Sequence, residues 1–301
     1  MTLLRSTFLI NTAQDEALLR ESIATCGADL VCLDLEDTVH PSKKAQARQL
    51  IARLLQDDGL WGRSARGVRL NAVSTPHAHA DITELVREAG DRIDLFVCSK
   101  VESPEHVWWV DHLVTQTAQT HQVQEHIRLL LGIETAGALT DIDRIATASP
   151  RNEALGFAIG DLSISLGIPV GAFLKDRSLY PGDPFHFIRS RINLAAKTAG
   201  LQSIDGPWPI LNELDVLAED ARWGVMLGMN GKLALSREQV PVIHRAYRPS
   251  DSEIAYARRM LASFEQVLAA GDGSGVLDGE FMDPVTLGVC QAILARAEAP
   301  V

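Results

Sequence analysis

Residues 29–48 read "DLVCLDLEDTVHPSKKAQAR". The first half, Asp29–Asp37, is a short apolar run rich in Leu and Val, the mark of a buried strand. From Pro41 onward the spacing becomes helical, continuing as "PSKKAQARQLIARLLQ". Three carboxylates, Asp34, Glu36 and Asp37, close the apolar run. The unit recurs: the other strand-like runs are "TFLINTA", "GVRLNAV", "DLFVCSKVES", "RLLLGIETA", "ALGFAIGDLS", "LQSIDGPW" and "GVMLGMNGKLAL". Helical stretches such as "QDEALLRESIATCG", "HADITELVREAG" and "FHFIRSRINLAAKTAG" lie between them, the last closing on a C-cap glycine, Gly200. Eight such alternations in roughly 240 residues are the size of a (β/α)8 TIM barrel. A doubly wound open sheet is the other α/β arrangement, but no glycine-rich phosphate fingerprint follows the first strand. We expect a barrel domain over residues 1–235. Residues 236–301 are expected to form a C-terminal helical extension or lid, with a long amphipathic helix, a glycine-rich break and one more helix.

Composition narrows the function classes. Of 301 residues, 46% are hydrophobic and 22% charged, as in globular proteins with a full core. Lys and Arg number 28 against 39 Asp and Glu, a formal charge of −11, which argues against an electrostatic nucleic-acid footprint. The start "MTLLRSTFLI" has no secretory-signal pattern, and no apolar run reaches membrane-spanning length, so a cytoplasmic protein without a membrane partner is expected. Cys26, Cys32, Cys98 and Cys290 are scattered without zinc or redox spacing and read as buried, reduced thiols.

In a barrel, chemistry gathers at the C-terminal ends of the strands. Here nearly every run ends in polar residues: Asp34, Glu36 and Asp37; Arg69 and Asn71; Lys100 and Glu102; Glu134 and Thr135; Asp161 and Ser163; Asp205. Glu134 and Asp161, on consecutive runs, suit magnesium, which takes oxygen ligands and keeps several waters. Equally open is a structural reading in which Asp161 caps a helix and Glu134 pairs with Arg69 or Lys100. Arg69 could grip a ligand carboxylate or a structural acid with its planar fork. His77 and His79 lack a third zinc ligand, and Trp108–Trp109 read as helix packing.

Taken together, these motifs resemble the citrate lyase β-subunit (CitE-like) family, the CoA-thioester branch of the HpcH/HpaI aldolase superfamily. The resemblance rests on "LRS" at Leu4–Ser6, "LDLEDTV" with "KKAQAR", "RLN" with Asp81 downstream, "SKVES", "IETAGAL", "GDLS", "IDGP", "GKLAL", "YRPSDSEIAYA" and "DGEFMDP", in order along nearly the whole chain. It implies a magnesium-dependent carbon–carbon lyase or aldolase that joins or cleaves an acyl-CoA and a 2-oxo acid. Malyl-CoA, methylmalyl-CoA, citramalyl-CoA and citryl-type thioesters are the implied substrates. A CoA-independent class II pyruvate-type aldolase, a malyl-CoA thioesterase and a non-catalytic scaffold are the alternatives.

By the same resemblance, Glu134 and Asp161 hold Mg2+ and Arg69 grips the oxo-acid carboxylate. Asp283 is the acid/base residue on a neighbouring subunit's lid, and Arg5 lies near the CoA phosphates. Asp34 and Glu36 count as catalytic, and Asp37, Lys44 and Asn71 as substrate- or cofactor-binding. Trimers or their multiples are implied. The chain departs from the family pattern at "INTAQ", where a Pro-Gly turn is usual. It departs again at Ser236 and Arg237, where His and Pro are common, and in the tighter spacing of "DGEFMDP".

Overall fold

The computed structural model describes residues 3–124 and 126–298. The strands are β1 (Ser6–Asn11), β2 (Leu30–Asp34), β3 (Ala65–Leu70), β4 (Leu95–Cys98), β5 (Arg128–Ile133), β6 (Asn152–Phe157), β7 (Gln202–Asp205), β8 (Gly231–Ala234), β9 (Gly275–Leu277) and β10 (Glu280–Met282). The helices are α1 (Glu16–Thr25), α2 (Lys44–Leu55), α3 (Ala78–Ala89), α4 (Pro104–His121), α5 (Ala136–Thr140), α6 (Ile142–Ala146), α7 (Ile159–Leu166), α8 (Val170–Lys175), α9 (His186–Thr198), α10 (Leu214–Met226), α11 (Gln239–Tyr247), α12 (Asp251–Ala269) and α13 (Pro284–Glu298).

Strands β1 to β8 pair in chain order, all parallel, and close where Thr7 faces Leu30 on one side and Leu233 on the other. The expected (β/α)8 barrel is therefore present. Its strands lie between a packed interior and a ring of helices, so β2 is buried along its whole length, without polar alternation. Inside the barrel, Leu4, Leu30, Cys32, Leu95, Val97, Leu130, Ala154 and Ile204 form one apolar cluster. Outside, α2 buries Ala47, Ile51, Leu54 and Leu55, an apolar stripe at helical spacing. The opening stretch thus folds as one strand and one helix, as its change of period requires.

Two runs end differently from the sequence reading. Gly224–Met226 belongs to α10, and the eighth strand starts only at Gly231, beyond a turn in which Gly228 has φ +84°. A side chain at Gly231 would collide with the Leu4 carbonyl, so the closing seam of the barrel requires glycine there. Asp161 sits in the first turn of α7, past the end of β6, where the helix dipole favours an acid.

The chain divides into two compact units, Leu3–Ile243 and a C-terminal unit that begins at His244, within α11. In the C-terminal unit α12 opens on a capping box: the Ser250 N–H donates to the Glu253 carboxylate (2.7 Å) and the Glu253 N–H to the Ser250 hydroxyl (3.2 Å). Strands β9 and β10 form an antiparallel hairpin across Asp278 and Gly279, with φ +53° and +87°, the left-handed pair that a tight hairpin turn requires. Ala257, Met260, Phe264, Met282 and Cys290 make this unit's core.

All four cysteines are free and buried. Trp108 and Trp109 are 45% and 37% exposed on α4, which corrects the packing expectation for that pair. Among the described residues no helix is long and apolar enough to cross a membrane.

Candidate active site

The C-terminal ends of the barrel strands surround a cavity of about 290 Å³. Its lower wall is apolar, with Leu9, Val97, Leu130, Ile204 and Leu233, and its charged lining is Arg69, Glu134, Asp161 and Asp205.

Asp34, the last residue of β2, is fully buried and receives Arg69 from β3 as a two-pronged pair, Nε to Oδ1 and Nη2 to Oδ2, both 2.7 Å. The loop after β2 folds back onto the same carboxylate. The Glu36 N–H donates to Oδ1 at 2.8 Å and the Thr38 hydroxyl to Oδ2 at 2.6 Å. Burial works against the Asp34 charge, but Arg69 and Thr38 overcome it and hold the carboxyl below the usual range. Arg69 Nη1 lies 3.0 Å from Glu36. Two of the guanidinium's N–H donors are thus fixed on Asp34, and the group also lines the cavity, where its planar fork can meet a ligand carboxylate. The Glu36 carboxylate, buried between Arg69 and Lys100 (Nζ at 2.8 Å), makes ionic contacts without well-directed hydrogen bonds. Burial raises its affinity for a proton.

Glu134 follows β5 directly and is buried beneath the rim. One oxygen accepts the Lys100 N–H at 3.0 Å. Desolvation is the main force on this carboxyl, with Glu36 and Asp161 adding repulsion, and its pKa is pushed up to about 7 despite the Lys100 N–H. The carboxylate folds over Gly132, where any Cβ would overlap Glu134 Oε1, so the strand leaves a cradle for this side chain. Asp161 is half-buried in the lining of the same cavity. Two carboxylates in a lining that has no imidazole suit a hard dication that completes its shell with water and substrate oxygens. Among the described residues no group of three or more His, Cys, Asp or Glu side chains clusters at metal-binding distance.

The remaining candidates separate. Asp37 is exposed at the rim and takes Lys100 Nζ at 3.0 Å. Lys44, expected to bind ligand, is turned inward: its ammonium donates to the Leu35 and Glu36 carbonyls at 2.6 and 2.7 Å and shapes the loop after β2. Asn71 donates through its backbone and side chain to Asp81, at 2.9 and 2.6 Å, and Asp81 in turn holds Arg48 at 3.0 Å. Arg5 precedes β1, at the opposite end of the barrel, and pairs with Asp29 at 2.9 Å while only 2% exposed. All three are buried and engaged within the protein, and none is in the lining of the cavity; Arg5 lies at the opposite barrel end, whereas Lys44 and Asn71 stand at the strand-end side. Asp283 lies in the C-terminal unit at the head of α13 and accepts from the Thr286 N–H (2.9 Å) and hydroxyl (3.1 Å). The Thr286 N–H keeps its carboxyl below the usual range.

Two residues missed as site candidates belong to the cluster. Lys100 had a signal, as a basic residue closing a strand. Thr38 had none, since a loop threonine is identified only by the carboxylate it meets. The two departures from the family pattern on β1 and β8 meet around a second recess of about 370 Å³, lined by Asn11, Gln14, Ser236 and Arg237. There Asn11 forms a local turn with the Ala13 N–H (2.8 Å) in place of Pro-Gly, and Arg237 pairs with Glu21 at 2.9 Å.

Residues 7–236 match the family model described as HpcH/HpaI aldolase/citrate lyase. The L-malyl-CoA/beta-methylmalyl-CoA lyase of Cereibacter sphaeroides is 32% identical over 287 residues, covering 92% of this chain and 90% of that one. The malyl-CoA/beta-methylmalyl-CoA/citramalyl-CoA lyase of Chloroflexus aurantiacus is 27% identical, covering 86% and 77%. The crystal structure of protein CitE from Mycobacterium tuberculosis, in complex with magnesium, acetoacetate and coenzyme A, superposes with a TM-score of 0.76. It is 25% identical and 97% of each chain is covered.

Proposed function

The chain belongs to the HpcH/HpaI aldolase/citrate lyase family, and from that membership we propose a magnesium-dependent carbon–carbon lyase acting on a 3-hydroxyacyl-CoA. The substrate divides into an acyl-CoA and a 2-oxo acid. The observation that carries the reading is the convergence of Glu134, Asp161 and the Arg69 guanidinium on one cavity at the strand ends.

Glu134 and Asp161 are the residues that would hold the magnesium. When bound, that cation supplies Lewis-acid polarisation of the oxygen that becomes the oxo group. The chain's own side chains do the rest. The outer edge of Arg69 binds the substrate carboxylate, while Asp34 on its other edge prevents rotation. Glu36 and Asp37, through Lys100, hold the rim closed around that edge. The apolar wall excludes water from the acyl enolate formed as the carbon–carbon bond breaks, whose charge the thioester carbonyl takes up. Asp283 is our candidate for the base that removes the hydroxyl proton, supplied by the C-terminal unit of a neighbouring subunit. Its near neighbours in sequence, Phe281 and Val285, are 62% and 73% exposed, so apolar side chains close to this carboxylate along the chain are open for a partner subunit. The protein is accordingly read as a cytoplasmic homo-oligomer, a trimer or hexamer. Ile164, Phe187 and Leu194, exposed on α7 and α9, offer further apolar surface for assembly.

The test is mass-spectrometric product analysis with malyl-CoA, methylmalyl-CoA and citramalyl-CoA, each with magnesium and with a chelator. Magnesium-dependent acetyl- or propionyl-CoA with the matching oxo acid is expected. Free CoA with intact hydroxy acid would replace the lyase by a thioesterase, and no conversion would overturn the reading.

A further inference from the structure

Lys100 joins the two halves of the site through two different parts of itself. Its backbone is left-handed, φ +50°, a conformation that residues with a Cβ adopt only when their surroundings hold them there. That conformation aims its N–H at Glu134 Oε1, 3.0 Å away. Its side chain reaches the opposite way across the rim, with Nζ 2.8 Å from Glu36 and 3.0 Å from Asp37, both on the loop after β2. The rest of that loop is fixed: Lys44 ties down the Leu35 and Glu36 carbonyls, and Asp34 receives the Glu36 and Thr38 N–H groups. The ammonium therefore contacts carboxylates carried by a loop whose backbone is tied down.

We propose that Lys100 is a positioning residue for the metal carboxylate, its ammonium setting the orientation of Glu134 from the far side of the rim by holding the left-handed backbone whose N–H fixes that side chain. The inference rests on the reading of Glu134 as a metal ligand. It separates the residue's two contributions, because glycine adopts positive φ freely whereas alanine does not.

The experiment is calorimetric magnesium titration, without substrate, of wild type, Lys100→Arg, Lys100→Gly and Lys100→Ala, with thermal unfolding of each. Lys100→Arg should keep the wild-type affinity. Lys100→Gly loses the anchor but not the accessible backbone conformation and should weaken magnesium only about twofold to threefold. Lys100→Ala should weaken it about tenfold or more, since the backbone relaxes and the N–H leaves Glu134. Gly and Ala variants that weaken magnesium equally, or a Lys100→Ala that binds like wild type, would overturn the proposal. Failure of wild type itself to bind magnesium would remove the metal assignment instead, so the two failures are distinguishable. Equal melting temperatures for the Gly and Ala variants alongside unequal affinities would exclude a purely structural role.

Discussion

Two clusters of mixed charge sit at strand ends of this barrel, on opposite sides of its cavity. The first, on the β2 to β5 side, joins Asp34, Glu36, Asp37, Arg69, Lys100 and Glu134. The second, on the β7 and β8 side, joins Asp183, Asp205, Asp220, Arg189 and Lys232. In the second, every ammonium donor of Lys232 is used, by Asp205 (2.7 Å), Asp220 (2.5 Å) and the Gly206 carbonyl (2.6 Å). Arg189, only 1% exposed and outside the cavity lining, spreads over Asp205, Asp183 and Asp220 at 2.6 to 2.9 Å. In the first, Arg69 and Glu134 line the cavity, Glu36 lacks directed hydrogen bonds among the described residues, and burial leaves Glu134 with a raised pKa. Charge density at a strand end is the same signal in both, and what separates a site from a framework is unspent hydrogen-bonding capacity facing a cavity.

The comparison predicts opposite phenotypes. Glu134→Gln and Asp161→Asn should lower magnesium-dependent turnover by about 10³-fold or more, the scale of a lost principal electrostatic contributor. Both should keep the melting temperature, and Glu134→Gln could raise it, since a desolvated charge is removed. Full turnover in either variant would end the metal assignment. In the closed cluster, Lys232→Met should cost about 3–5 kcal/mol of stability by leaving buried acids uncompensated, read by urea unfolding. A change under about 1 kcal/mol would mean that the network is no framework.

Arg69→Lys tests the boundary between the two kinds of cluster. It retains charge but loses the planar fork, so KM for the oxo acid should rise about tenfold to a hundredfold, with a smaller change in kcat. An unchanged KM would place carboxylate recognition elsewhere. Asp283→Ala should lower kcat about 10²-fold with unaltered magnesium affinity, because the residue is proposed as a base and not as a ligand. The smallest effect expected is on the thiols. Burial pushes the Cys98 pKa up to about 12 and raises that of Cys32 as well. Neither should react with a thiol reagent between pH 7 and 9 unless the barrel opens, and rapid labelling of the native protein would contradict the burial.

The barrel was legible because its cause is local. Each change from a short apolar run to helical spacing, as at Asp29–Arg48, marks one strand and one helix, and eight of them in order have few ways to pack. Glu134, Asp161 and Arg69 were legible for the same reason, as polar residues where the strands end. The direction in which each polar end points was not legible, because it depends on residues far away in sequence. Lys44, Asn71 and Arg5 are polar residues of the same kind as Arg69 in the sequence, and only the folded chain shows that the Leu35 carbonyl, Asp81 and Asp29 are their partners. Arg189 and Lys232 gave no signal of a shared partner until folding brought Asp205 and Asp220 between them. Periodicity along the chain determined where the strands end, whereas the meeting of distant chain segments decided which charges are satisfied and which are left to bind.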